Sequence, residues 1–133
     1  MDGQGGGVGK ALVEKLRQVF GRELTLIALG TNCLATSLML KAGADEGATG
    51  ENAIAVTVAD VDVVMGAIGI VSANSMLGEL TPAMAAAIAS ARAVKILVPL
   101  NRCRLRVVGL KDMPFGQYID EAAAALREMM NEE

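Results

Sequence analysis

A chain of 133 residues is long enough to bury roughly two-thirds of its unfolded surface as a single domain, residues 1–133. It contains no histidine, which removes the commonest ligand of zinc, copper and haem and every Ser-His-Asp or Cys-His mechanism. A net charge of −3 disfavours the general phosphate attraction of nucleic-acid binders, and the uncharged stretch Val63–Asn74 falls far short of the ~20 apolar residues of a membrane span. Neither nucleic acid nor membrane is expected as a partner, and no metal site is expected. Where a signal peptide needs a basic and then an apolar region, the N-terminus carries Asp2 and a glycine run, so the expected location is cytoplasmic. Cys33 and Cys103, in apolar or strand-like surroundings, read as reduced thiols.

Val8, Leu12, Leu16, Val19 and Phe20 recur at helical spacing, and Gly21 ends the pattern. Leu24–Leu29 is a continuous apolar run closed by Gly30, the mark of a strand buried on both faces in a parallel sheet. A second helix through Leu34, Leu38 and Met39, capped by Thr31 or Asn32, runs to Gly43. The polar turn Asp45–Asn52 follows, of which Ala48–Asn52 is a lid or a solvated loop. Two strand candidates follow, Ala53–Val58 and Val61–Met65. Ala59 and Asp60 are too short a connection for a crossover, so one of the two is a fragment or a hairpin arm.

Ile70–Leu77 reads as a short helix ended by Gly78. Thr81 and Pro82 place a cap and a first-turn proline before a helix over Met84–Ala91. Val94–Leu100 is a buried strand, Leu105–Leu110 a more amphipathic one, and Phe115–Met130 a closing amphipathic helix. This order is α/β. The expected fold is a Rossmann-like three-layer sandwich with a mostly parallel sheet and a truncated first strand.

The chemistry concentrates in Asp2-Gly-Gln-Gly-Gly-Gly-Val-Gly-Lys10. A helix starting in such a loop offers free N–H groups at the positive end of its dipole, and glycines let a phosphate approach closely. Gly3, Gly7 and Gly9 have the G-x-x-x-G-x-G spacing of short-chain dehydrogenase loops. A Walker A loop fails, because Gln4 stands where its first glycine belongs and Ala11 where its Ser or Thr would hold magnesium. A standard NAD site is also incomplete: Ala28–Asn32 has no carboxylate for the ribose, and Ala122 stands where a lysine four residues after Tyr118 would be needed. The bland alternative is a tight turn with close helix packing.

Phosphate loops of this kind follow a central strand, yet only Met1 and Asp2 precede Gly3. Either the sheet lacks its middle strand or the true start lies upstream; the second is favoured.

Polar residues cluster after the predicted strands: Thr31, Asn32, Thr36 and Ser37; Ser72, Asn74 and Ser75; Asn101, Arg102 and Cys103. In a doubly wound sheet these ends share one edge with the glycine loop and can line a common pocket. Capping alone also explains Thr31 and Asn32. From Leu80 to Lys111 every charge is basic, and on a strand Arg102, Arg104 and Arg106 share a face, either a defended edge or an anion or partner site.

The motifs Asp2–Lys10, Ala28–Asn32 with Ala35–Ser37, Gly47–Ile54, Ala73–Glu79 and Pro99–Cys103 together resemble an uncharacterised bacterial family, domain of unknown function 3842. The resemblance covers nearly the whole chain. Members of that family begin with a short hydrophobic segment before Asp-Gly-Gln, which is consistent with an upstream start. The resemblance implies no particular activity.

The leading expectation is a protein that binds a nucleotide or other phosphorylated small molecule, NAD(P) among the cofactor classes. The amides of Gly3, Gly5, Gly6, Gly7, Val8 and Gly9 hold phosphate, and Thr31, Asn32, Asn74, Asn101 and Arg102 line the remainder. Glu51 and Cys103 are the reactive candidates, although a buried inert thiol is the favoured reading of Cys103. The rival is a non-catalytic structural or interaction module forming a homo-oligomer, its Ala-rich helices packed between subunits and its loop only a turn.

Overall fold

Helix α1 (Gly7–Phe20) forms because Leu12, Leu16 and Phe20 fall one turn apart with Val8 and Val13 beside them, and all five are buried. Gly21 ends it at φ 59°, its N–H returning to Arg17 O at 2.9 Å. The computed structural model describes residues 1–100 and 104–132. Strand β1 (Ile27–Gly30) leads into α2 (Cys33–Ala42), and Asn32 caps that helix by accepting from Ala35 N at 2.8 Å. The order continues as β2 (Glu46–Thr49), α3 (Glu51–Val58), β3 (Val63–Ala67), a 3₁₀ turn at Ile68–Val71, α4 (Pro82–Ser90), β4 (Val94–Val98) and α5 (Phe115–Asn131). Thr81 caps α4 as expected, its Oγ1 accepting from Met84 N at 3.1 Å with Pro82 in the first turn.

The chain departs from the sequence reading between Asp45 and Leu77. The polar turn contains strand β2, and the strand candidate Ala53–Val58 is helix α3. Ile54 and Val58, four residues apart, are buried while Ala55 and Val56 face out, so the β-branched run satisfies a helical period and tertiary packing overrides its strand preference. Ala59 and Asp60 therefore join a helix to a strand. Ile70–Leu77 is a 3₁₀ turn and a series of bends, with Asn74, Met76 and Leu77 all at positive φ. Leu105–Leu110 is exposed throughout and forms no strand, because no described edge pairs with it; Arg104 and Arg106 consequently share no strand face. Cys33 is exposed at the start of α2, in contrast to the apolar setting expected.

Two parallel pairs make the sheet framework. β1 pairs with β2 from Ile27↔Glu46 to Gly30↔Thr49, and β3 pairs with β4 from Val63↔Val94 to Ala67↔Val98. Met1 and Asp2 lie between the pairs, with Asp2 bridging Gly30 in parallel and the Met1 amine donating to Met65 O at 3.0 Å.

Helices cover both sides of these strands. Ile54 and Val58 of α3, Met84 and Ile88 of α4, Ile70 and Leu80 pack on Leu29 and Val64. From α1 and α5, Leu12 and Ile119 meet Ala67 and Val98, and Leu16 and Phe20 meet Ala123 and Leu126. Each fully buried Leu, Ile or Met side chain contributes roughly 1.5–3 kcal/mol. Among the described residues, no helix is long and apolar enough to cross a membrane.

Candidate functional site

Asp2 organises the glycine loop. Its carboxylate, 5% exposed, accepts from Gly3 N at 2.8 Å through Oδ1 and from Gly9 N at 2.6 Å through Oδ2. The charge sits where the α1 dipole is positive, so the loop and the helix are locked to the strand position that Asp2 occupies. Gly6 closes the turn at φ 74°, donating to Gly3 O at 3.0 Å and accepting from Lys10 N at 3.0 Å.

The glycines then divide by what surrounds them. A Cβ on Gly3 would stand 2.5 Å from Thr31 Oγ1, one on Gly9 2.5 Å from Met39 Sδ, and one on Gly6 3.0 Å from Ala35 Cα. These three are glycines because the protein itself crowds them or needs positive φ. Gly5 and Gly7 differ: both are exposed, neither has a left-handed φ, and nothing lies within 4 Å of where a Cβ would be. Gly7 and Val8 are the first residues of α1, whose N–H groups have no partner one turn back. Among the described residues, no acceptor meets the N–H of Gly5, Gly7 or Val8, while the third amide of α1, Gly9 N, is taken by the Asp2 carboxylate.

Beside the loop, Oε1 of Glu79 gathers three donors. Gln4 N reaches it at 2.7 Å, and Thr31 Oγ1 and Asn32 Nδ2 both at 2.5 Å. Asn32 Nδ2 also donates to Gln4 O at 3.0 Å. The Thr31 hydroxyl and then the Gln4 amide hold the Glu79 carboxyl below its ordinary range against desolvation, with the Asn32 amide adding to them last. Thr31 and Asn32 thus stand next to the loop, as the sequence reading expects, and both are engaged by a carboxylate to which that reading assigned no role. Its signal was the turn chemistry of Asn74-Ser-Met-Leu-Gly78, which bends the chain back toward the loop.

Asn74 belongs to that turn: at φ 64° it donates through its N–H to Leu80 O at 2.8 Å and accepts Gly78 N at 3.1 Å. Its side chain is exposed, and among the described residues no hydrogen bond joins it to the loop. Asn101, Arg102 and Cys103 lie outside the described residues. Glu51 opens α3 and accepts from Thr81 Oγ1 at 2.6 Å, tying two helix starts together. Among the described residues no group of three metal-ligating side chains converges.

The family model described as Domain of unknown function (DUF3842) matches residues 1–131. The chain belongs to this family. No curated protein and no solved structure matches it. The DUF3842 match takes in the glycine loop, the Glu79 turn and the closing helix α5, so the whole candidate site lies within the family's domain.

Proposed function

We propose that this DUF3842 chain is a Rossmann-like, three-layered binding protein that takes a nucleotide or another phosphorylated small molecule on the amides of Gly5, Gly7 and Val8. The observation that carries the reading is the pair of glycines with no internal reason to be glycine. Neither packing nor backbone conformation requires Gly5 or Gly7, whereas an anion approaching the open amides at the start of a 14-residue helix requires bare backbone there. Lys10, exposed one turn into α1, adds positive charge near the same end. Asp2, Gly3, Gly6 and Gly9 shape the loop, and the Glu79 cluster holds its Gln4 side in place.

A second reading, self-association with the loop as a plain turn, draws support from the exposed apolar residues after residue 104, among them Val108 at 95%. Thermal-shift measurements with NAD(P), adenine nucleotides, sugar phosphates and inorganic phosphate separate the two. The binding reading expects stabilisation by at least one of them and its loss in Gly7→Val, with the melting temperature of the ligand-free variant close to that of the parent. No stabilisation by any, together with a dimer in sedimentation, favours self-association.

A further inference from the structure

The side-chain donors that border the glycine loop are already spent. Thr31 Oγ1 and Asn32 Nδ2 both donate to Glu79 Oε1 at 2.5 Å, and Gln4 N reaches the same oxygen at 2.7 Å. Asn32 Nδ2 also donates to Gln4 O at 3.0 Å, and its Oδ1 is taken by Ala35 N at 2.8 Å. This side of the loop therefore presents the carboxylate that these donors hold. Among the described residues no donor meets Glu79 Oε2, and no lysine or arginine pairs with the group.

The carboxylate is fixed in place beside the open amides. Gly5 N lies one residue beyond Gln4 N and so within about 6.5 Å of Glu79 Oε1, the bond length plus at most one extended residue. A Cβ on Gly3 would stand 3.2 Å from that oxygen and 2.7 Å from Met76 Sδ, so Glu79 and its turn lie directly against the loop backbone. Glu79 is partly exposed, and Gln4, Gly5 and Gly7 are exposed, so a solute can reach both the carboxylate and the amides. An ionised carboxylate accepts hydrogen bonds and donates none, and the donors on Oε1 keep this one ionised to lower pH than an ordinary glutamate. A phosphate group brought to Oε2 meets like charge, whereas a hydroxyl there makes a charge-assisted hydrogen bond.

We propose that Glu79 is the specificity residue of this site and that the ligand is a phosphate monoester of a polyol. The inference rests on the phosphate reading above: the phosphate lies on the Gly5, Gly7 and Val8 amides, and a hydroxyl on the adjoining carbons donates to Glu79 Oε2. Sugar phosphates and nucleoside monophosphates share this chemistry. A diphosphate does not, because its second phosphate follows the first where the hydroxyl is required, and like charge then opposes binding.

The test is titration calorimetry of the full chain in EDTA, with each ligand set against a counterpart lacking the hydroxyls. Ribose 5-phosphate is paired with propyl phosphate and AMP with its 2′,3′-dideoxy analogue, and pyrophosphate is run beside them. In at least one pair the hydroxylated ligand is expected to bind at least about tenfold tighter, the worth of one hydrogen bond to a charged acceptor; the pair that shows it, in support either way, tells sugar phosphate from nucleotide. Glu79→Gln is expected to lower that ratio at least about threefold and to tighten pyrophosphate by a similar factor as the like charge is removed. A second readout needs no variant: in the parent, the carboxyl carbon resonance of Glu79 is expected to shift with the hydroxylated ligand and not with its counterpart. Equal affinities within both pairs, or a ratio unchanged in Glu79→Gln, overturn the proposal while leaving phosphate on the amides. No binding by any of the five probes overturns the phosphate reading and this proposal with it. Pyrophosphate binding that requires added magnesium and is lost in Glu79→Gln assigns Oε2 to a cation and also overturns the proposal.

Discussion

Residues that share a type in the Gly3–Gly9 loop do different work, and substitution separates them. Gly6→Ala brings a Cβ to 3.0 Å from the Ala35 backbone at a left-handed φ, an expected loss of roughly 1–2 kcal/mol. Gly5→Ala meets nothing, and its stability is expected to stay within about 0.5 kcal/mol of the parent. Urea denaturation of the two variants checks the contrast, and equal losses would contradict the division drawn between them.

Glu79 supplies a pH signature at the same scale. Its carboxyl titrates lower in the folded chain than its ordinary value of 4.5, so its ionised form is bound more tightly in the folded state. The associated stability is complete above pH 4.5 and declines as pH falls through the lower folded value. Asp45 behaves alike, its carboxyl lowered from 3.8 chiefly by the Leu26 amide and then by Arg17, which lies 2.7 Å away. Glu79→Gln keeps an acceptor for Gln4 N but removes the charge, and is expected to flatten the acid limb of a plot of Tm against pH. An unchanged limb in Glu79→Gln would show that the cluster is not linked to folding.

At the scale of elements, helices were the most legible. Periodicity located α1 and α5, and cap chemistry located α2 and α4. Thr81→Ala removes the acceptor for Met84 N and is expected to cost about 1 kcal/mol, readable as a lower midpoint in urea at unchanged slope. Strands were harder to read for physical reasons. β2 reads as a polar turn because Glu46-Gly-Ala-Thr49 lies exposed against a single partner and needs no apolar alternation. Conversely Ala53–Val58 carries strand-like residues, and only its packing between the strands and α4 makes it a helix. Leu105–Leu110 has amphipathic spacing with no edge to pair against, and spacing alone cannot report that.

For the whole molecule, the sequence foretold an α/β order, and Met1 and Asp2 lie between two parallel pairs. The candidate site was legible as a motif but not as a structure. Asp2 binds Gly3 and Gly9 within the motif itself, whereas Glu79 binding Gln4, Thr31 and Asn32 across 75, 48 and 47 residues depends on tertiary proximity that no local pattern encodes.

The binding account places an anion on three particular amides. Titrating the ¹⁵N-labelled chain with inorganic phosphate and then with ADP, while following backbone amide resonances, tests it most directly. The expected result is that the largest shifts fall on Gly5, Gly7 and Val8, with Gly3 and Gly9, already bonded to Asp2, moving less. Shifts confined to another surface, or none with either ligand at millimolar concentration, would contradict it.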